Sequence, residues 1–193
     1  MKPYAQIGTL MLRLLVMACI AKCALVGTTA FGQGASLQAF VCNTGYTLKD
    51  CQEQVSVLRP VLARYHADRL EHWTWILVKS RDWRNVVEPR GLDPHSPAFT
   101  YPEERETFFE EALFTPIPGR SGELLRYWAL PAAKLLELAV THELGHALCR
   151  DGNELRANEF ARLLREGVES RCEAFEARSK SHDPSQNGRS EKF

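Results

Sequence analysis

The sequence has no surplus of charge of either sign, since 24 basic side chains balance 24 acidic ones. Residues 1–32 contain three of the basic side chains and none of the acidic ones, so the remainder carries a small negative excess. A protein that binds nucleic acid is expected to carry a basic surplus, and no nucleic-acid partner is therefore predicted. The apolar content of 45% over 193 residues excludes collagen-like, coiled-coil and wholly disordered chains, and is typical of one modest globular domain.

A long uninterrupted apolar run is also missing. The apolar stretch within residues 14–26 is interrupted by Lys22, whereas a transmembrane helix needs about 20 apolar residues. Basic residues precede this stretch and small residues follow it, which is typical of an export signal. We predict a signal peptide over residues 1–32, cleaved after Gly32 or after Ala30, and a secreted or periplasmic protein with no stable membrane span. An uncleaved N-terminal anchor is the alternative.

No C-x-x-C pair occurs in the chain, which argues against a zinc site built from cysteines. Four cysteines remain after the predicted signal peptide, an even number that is typical of disulfides in an oxidising compartment. Nearness along the chain favours pairing Cys42 with Cys51 and Cys149 with Cys172. Four cysteines allow three pairings, and the sequence does not choose between them.

Hydrophobic periodicity predicts an α+β domain over residues 33–177, followed by a polar, disordered tail at 178–193. The predicted strands are 73–78, 98–101 and 107–114. The last two form a hairpin with a turn at 102–105, although residues 103–113 also fit a helix. The predicted helices are 50–66, capped by Asp50, 82–87, 131–149 and 154–176. We expect a small, mostly antiparallel sheet packed against helix 131–149.

Several single residues have structural predictions. Gly145, in the middle of a predicted helix, is expected to allow close packing of a neighbouring element. Gly152 is expected to end that helix, and Asn153 to cap the next one. Four tryptophans are expected to fill the core: Trp73, Trp75, Trp83 and Trp128.

The segment from His142 to His146 reads His-Glu-Leu-Gly-His, an H-E-x-x-H pattern. In a helix, residues four apart lie one above the other, so His142 and His146 can present two imidazole nitrogens to one Zn²⁺ ion. Glu143 then points toward the open side, where a carboxylate can take a proton from water. The helix is predicted independently by an apolar stripe of Leu136, Val140, Leu144 and Ala147.

A catalytic zinc ion usually has three protein ligands, so a third ligand is expected near the two histidines. Glu154 is the favoured candidate because it stands at the head of the next helix's apolar stripe, which must face the first helix. Glu159 and Asp151 remain alternatives. Asn158, one turn after Glu154, is predicted to hydrogen-bond a ligand, or else to be an ordinary polar helix residue. The stripe comprises Ala157, Phe160, Ala161, Leu164 and Val168.

These two segments, His-Glu-Leu-Gly-His-Ala-Leu from His142 and Glu-Leu-Arg-Ala-Asn-Glu-Phe-Ala from Glu154, resemble the gluzincin metallopeptidases. The ImmA/IrrE-like branch is the most similar, and the resemblance covers about residues 135–164. It implies a minimal zincin core in which His142, His146 and Glu154 hold zinc. It also implies that Glu143 is the catalytic base and that Asn158 stands beside a ligand.

We therefore predict an exported zinc-dependent peptidase-like hydrolase acting on a peptide or protein substrate. Zinc is expected to acidify a water molecule, and Glu143 to accept its proton and deliver it to the leaving amine. The strand at 107–114, if it borders the cleft, is expected to bind an extended peptide by strand addition. The sequence supplies no clear oxyanion donor, and His95 or Tyr127 is a candidate only if the fold brings it near the site. The alternative is a non-catalytic zincin-like domain that binds a metal for stability or a partner through its sheet edge.

Overall fold

The structure, a computed structural model, describes residues 37–168 and Cys172. The predicted signal peptide at residues 1–32 and the predicted tail at 178–193 lie outside the described residues. Within them, five α-helices and four strands form an α+β domain, as predicted. None of the helices in this part of the chain combines the length and the apolar character that crossing a membrane requires.

The strands are β1 (Ala39–Cys42), β2 (Thr74–Val78), β3 (Ala98–Tyr101) and β4 (Glu106–Glu110). The helices are α1 (Leu48–Arg64), α2 (Ser80–Val87), α3 (Arg120–Trp128), α4 (Ala132–Cys149) and α5 (Glu154–Arg165). The predicted hairpin of β3 and β4 is confirmed. Its second strand ends at Glu110 because residues 111–113 form a turn of 3₁₀ helix.

The four strands form one mixed sheet in the order β1-β2-β4-β3. β1 with β2 and β2 with β4 pair in parallel, and only β3 with β4 is antiparallel. The prediction of a mostly antiparallel sheet is therefore wrong. The physical reason is that α1 connects β1 to β2 and α2 lies between β2 and the hairpin, and helical crossovers return the chain to the same end of the sheet.

Side chains alternate between the two faces of the sheet and build two separate cores. Trp75 and Phe109 point toward α4 and are fully buried in the larger core, with Trp73 and leucines of α1 and α4. Phe99 and Val78 point to the other face and pack against Trp83 of α2 in the smaller core. Three of the four tryptophans thus fill the core as predicted, whereas Trp128 is only partly buried.

Two helix starts differ from the prediction. α1 is capped by Thr47 rather than Asp50, because the Thr47 hydroxyl accepts a hydrogen bond from the Asp50 backbone N–H at 3.1 Å. α3 was not predicted at all, since the Pro- and Gly-rich segment before it indicates a loop. Gly119 ends that loop with a φ of 79°, which only glycine adopts easily, and the helix begins at the next residue.

α5 is shorter than predicted and ends at Arg165 instead of about residue 176. Gly167 takes a φ of 70°, and its N–H donates to the Leu164 carbonyl, a geometry that commonly terminates helices. Val168 therefore lies beyond the helix and is 48% exposed, so its predicted place in the buried stripe is wrong.

Two disulfides link Cys42 to Cys51 and Cys149 to Cys172, the pairing that nearness along the chain favoured. The first ties the end of β1 to α1. The second ties the last residue of α4 to the chain that follows α5. Two disulfides in a domain of this size indicate an oxidising, extracellular environment.

Candidate metal centre

α4 carries both histidines of the H-E-x-x-H pattern on the face that looks toward α5 and the end of the sheet. The Nε2 atoms of His142 and His146 lie 3.1 Å apart, as their four-residue spacing requires. The apolar stripe that predicted this helix is buried against the sheet, which fixes the rotation of α4 about its axis. Both imidazoles are largely shielded from solvent, with exposed fractions of 15% and 7%.

Glu154 opens α5 and brings a carboxylate to the same point. One of its oxygens lies 3.1 Å from His142 Nε2 and the other 3.6 Å from His146 Nε2. Asn153 caps the helix as predicted, its side-chain oxygen accepting a hydrogen bond from the Arg156 N–H at 3.0 Å. The possible ligand atoms of the three residues all lie within 4.8 Å of one another, so the group can hold a metal ion.

The two alternative third ligands are engaged elsewhere. Both carboxylate oxygens of Glu159 accept hydrogen bonds from Arg162 at 2.8 Å. The Asp151 carboxylate forms an ion pair with Arg156 at 2.7 Å. Neither side chain joins the cluster of His142, His146 and Glu154 within the described part of the chain.

The other nitrogen of each imidazole donates a hydrogen bond that fixes its orientation. His142 Nδ1 lies 2.8 Å from the Asn158 side-chain oxygen, and His146 Nδ1 lies 2.8 Å from the Asp151 backbone carbonyl. Because both acceptors are oxygens, each Nδ1 carries a proton, and each Nε2 is the ring nitrogen that can coordinate a metal ion once any proton on it is lost. The two imidazole nitrogens and the Glu154 carboxylate converge on one point and form a donor set that suits a metal ion.

The Asp151 carbonyl is the functional group that sequence analysis missed. It reaches His146 because Arg150 takes a left-handed conformation with φ of 51° and ends α4 there, so the predicted stop at Gly152 is wrong. The Asp151 N–H also donates to the His146 carbonyl, which locks the turn to the helix. Every residue has a backbone carbonyl, so the sequence does not indicate which one contacts His146. Only the short link between the two helices indicates a tight turn there.

Charged neighbours set the protonation of the cluster. Burial by itself lowers the pKa of His146, but hydrogen bonding to Glu154 and the charge of Glu143 outweigh it and raise this pKa to about 9. Hydrogen bonds with His142 and His146 hold the pKa of the Glu154 carboxyl well below its usual range. Glu154 is therefore ionised at neutral pH, and a proton held by His146 must leave when a metal binds.

Glu143 is buried beside the cluster, with an exposed fraction of only 4%. Burial raises the pKa of its carboxyl, while the positive charges of His142 and His146 oppose that rise. Its Oε2 atom accepts no hydrogen bond from the described residues. A buried carboxylate oxygen without a hydrogen-bond partner lowers the stability of the fold. The placement of Glu143 is therefore explained better by a chemical role than by a contribution to stability.

Gly145 lets the two helices approach closely, as predicted. A Cβ atom at this position would lie 2.8 Å from both the Cα and the carbonyl oxygen of Ala157. These are backbone atoms, so α5 itself would have to move. Because Ala157 lies one turn after Glu154, this contact sets the distance between the carboxylate and the histidines.

Replacing Gly145 by alanine is expected to lower stability, although Gly→Ala in an unhindered helix gains about 1 kcal/mol. Overpacking against the α5 backbone costs about 1–3 kcal/mol, and the displacement of Glu154 is expected to weaken metal binding. Chemical denaturation and metal titration measure both effects. Gly122→Ala in α3 is the matched control, since its Cβ meets only the end of the flexible Arg126 side chain. Equal stability changes in the two variants would contradict the role of Gly145.

A cavity opens beside the cluster, lined by the face of α4, by Trp128 and by the edge strand β3. The Thr100 hydroxyl of β3 contacts the Glu143 carbonyl at 3.5 Å. The strand that borders the cleft is therefore β3, and the predicted strand at 107–114 lies one position inside the sheet. His95 and Tyr127, the two candidate oxyanion donors, instead stack on each other and contact Asp93.

The helical pair α4–α5 thus brings together the three predicted ligands and the predicted base, and Asn158 beside them. Its position at one end of an open cavity is typical of a catalytic or binding site. No family model matches the chain, and no curated protein or solved structure matches it at a significant level.

Proposed function

We propose that this protein is an exported, zinc-dependent peptidase-like hydrolase of the gluzincin type. The observation that carries the proposal is the convergence of two imidazole nitrogens and one carboxylate beside a buried glutamate, Glu143, whose Oε2 atom has no hydrogen-bond partner among the described residues. Two histidines and one glutamate are a typical ligand set of catalytic zinc sites, in which a fourth position stays open. His142, His146 and Glu154 would hold the ion.

The chain's own residues account for the remaining parts of the reaction. A bound zinc ion would supply Lewis acidity, which makes water more acidic and polarises a carbonyl group. Glu143 would accept the water proton at its unpartnered Oε2 atom and pass it to the leaving amine. The hydrogen bonds from His142 and His146 to Asn158 and Asp151 would keep both ligands oriented during this step.

An extended substrate would bind along β3. This strand pairs with β4 on one side, and among the described residues its other side has no neighbouring strand. Its outer backbone groups therefore have no strand partner, and a peptide that paired with them would lie across the mouth of the cavity. β4 is paired with β2 and β3 and has no such edge.

The second candidate function is a metal-binding domain without catalysis. It is favoured by one observation: the residues that line the cavity include no arginine, no lysine and no histidine beyond His142 and His146. The Thr100 hydroxyl, which also lines it, is already hydrogen-bonded to Thr107 at 2.9 Å. The described walls of the cavity therefore offer no cationic oxyanion donor beyond the two histidines, and the hydroxyl groups of Ser96 and Tyr101, which also line it, are the remaining candidates.

Elemental analysis of the purified protein tests the metal centre. We expect one zinc ion per chain, lost in Glu154→Ala and kept in the matched control Glu159→Ala, whose carboxylate is paired with Arg162. An unchanged zinc content in Glu154→Ala would contradict the third ligand. The wild type is then incubated with unfolded polypeptides, and we expect cleavage that a chelator stops and added zinc restores. A zinc-loaded protein that leaves diverse unfolded chains intact would favour the non-catalytic domain.

A further inference from the structure

A second cavity lies along the same helix as the candidate metal centre. Its walls come from the 3₁₀ turn after β4, from α3 and from the start of α4. Leu135 lines this cavity and also the cavity beside the cluster, and its side chain is 97% shielded from solvent. One leucine therefore stands where the two cavities meet.

The spacing along α4 explains this arrangement. Ala132 and Leu135 line the second cavity, whereas Leu135, Ala139 and His142 line the first. These residues are three, four and three positions apart, so they follow one face of the helix. Leu135 lies about 10 Å from His142 along the helix axis, because each residue rises about 1.5 Å.

Many of the residues that line the first cavity are apolar. They include Ala98, Leu138 and Trp128, and the Trp128 ring is held in place because its N–H donates to the His95 carbonyl at 2.9 Å. The lining contains no lysine or arginine, so an anionic substrate group entering this space would lose its hydration without gaining a cationic partner away from the cluster, and an apolar group is favoured. Such a group would extend from the cluster toward Leu135.

We propose that Leu135 is a specificity-determining residue that limits the length of the apolar substrate side chain accepted next to the scissile bond. The proposal rests on the proposed function, since it assumes that substrate is held at the metal. Leu135 lines both cavities, so shortening its side chain would open the first cavity toward the second and supply space for a longer group.

The test uses the zinc-loaded protein and a series of hydroxamates, which chelate zinc, bearing isobutyl, benzyl or 4-biphenylmethyl groups. Affinity is measured by calorimetry, so no hydrolysis is needed. We expect the wild type to bind the benzyl compound at least about tenfold more tightly than the biphenylmethyl compound, because misfit of even one methylene changes binding by roughly tenfold or more. Leu135→Ala is expected to remove or reverse this preference.

The matched control is Leu124→Ala, a truncation of an equally buried leucine that lines only the second cavity and should leave the ranking unchanged. Leu135→Val gives a smaller shift in the same direction should the alanine variant fail to fold. Ala139→Leu is expected to shift the preference toward isobutyl, since it fills the first cavity. An unchanged ranking in all Leu135 variants would overturn the proposal alone. Binding of no hydroxamate by the zinc-loaded wild type would overturn the proposed function, and this proposal with it.

Discussion

Hydrolysis by the Glu143→Gln variant is expected to fall by roughly 10²–10⁴-fold, the usual contribution of a general base. Glutamine keeps the size of the side chain but cannot accept a proton at the position of Oε2. The zinc content should stay at the wild-type value, because Glu143 is not among the three residues whose ligand atoms converge. Cleavage of an unfolded polypeptide and elemental analysis of the same sample measure both quantities.

The stability of this variant should change far less than its activity. A neutral amide removes the cost of a buried carboxylate whose Oε2 atom has no partner, but it also removes the attraction between Glu143 and protonated His146, so the metal-free variant is expected to stay close to the wild type in stability. Urea denaturation in the presence of a chelator measures this. Full activity in Glu143→Gln, or a stability loss as large as the activity loss, would contradict the role of the base.

Glu137→Gln is a matched control on the side of α4 that contacts the end of α1. The Glu137 carboxylate accepts hydrogen bonds from Tyr65 and Lys134, which hold its pKa below the usual range. A carboxyl group with a lowered pKa contributes stability at pH values above the usual pKa of glutamate. This contribution is lost as the pH falls through the lowered value. We therefore expect Glu137→Gln to be less stable near neutral pH, with the difference vanishing in acid, and its activity to be retained.

Removal of the Cys149–Cys172 disulfide is expected to lower the free energy of unfolding by about 3 kcal/mol, the entropic value for a closed loop of this length. The loop of 23 residues contains all of α5, so the unfolded chain gains much freedom when the link is lost. The Cys149→Ser/Cys172→Ser variant is compared with the wild type by urea denaturation.

The other disulfide supplies the control. Cys42 and Cys51 are only nine residues apart and lie at the far edge of the sheet from β3, so their removal should cost slightly less and leave zinc affinity unchanged. In contrast, loss of the Cys149–Cys172 link loosens α5 against α4, and zinc affinity should fall with stability. Wild-type stability in the Cys149→Ser/Cys172→Ser variant would show that packing of the two helices alone holds α5 in place.

The arrangement of the cluster was predictable because it depends on local geometry. A helical turn places His142 and His146 together without help from the rest of the fold, and Asn153 begins the next helix with a side chain suited to capping. The role of Gly145 followed from its position in a helix where glycine otherwise costs stability.

Features that depend on contacts between distant segments were not predictable in this way. β1 has only four residues, half of them exposed, and becomes a strand by pairing with β2, which lies more than thirty positions later. Without it, the parallel character of the sheet could not be inferred. Similarly, Arg150 takes a conformation that favours glycine because its neighbour Asp151 is hydrogen-bonded twice to His146.

Every group proposed to hold or orient the metal lies between His142 and Asn158, in one short hairpin of two helices. The sheet contributes the cleft wall but no ligand. The hairpin is therefore a self-contained module that could be transplanted into another helical scaffold with a glycine-to-alanine helix contact. Such a chimera would be expected to bind the ion but not the substrate, because the groove is formed with the sheet. Metal binding and substrate binding could then be measured separately.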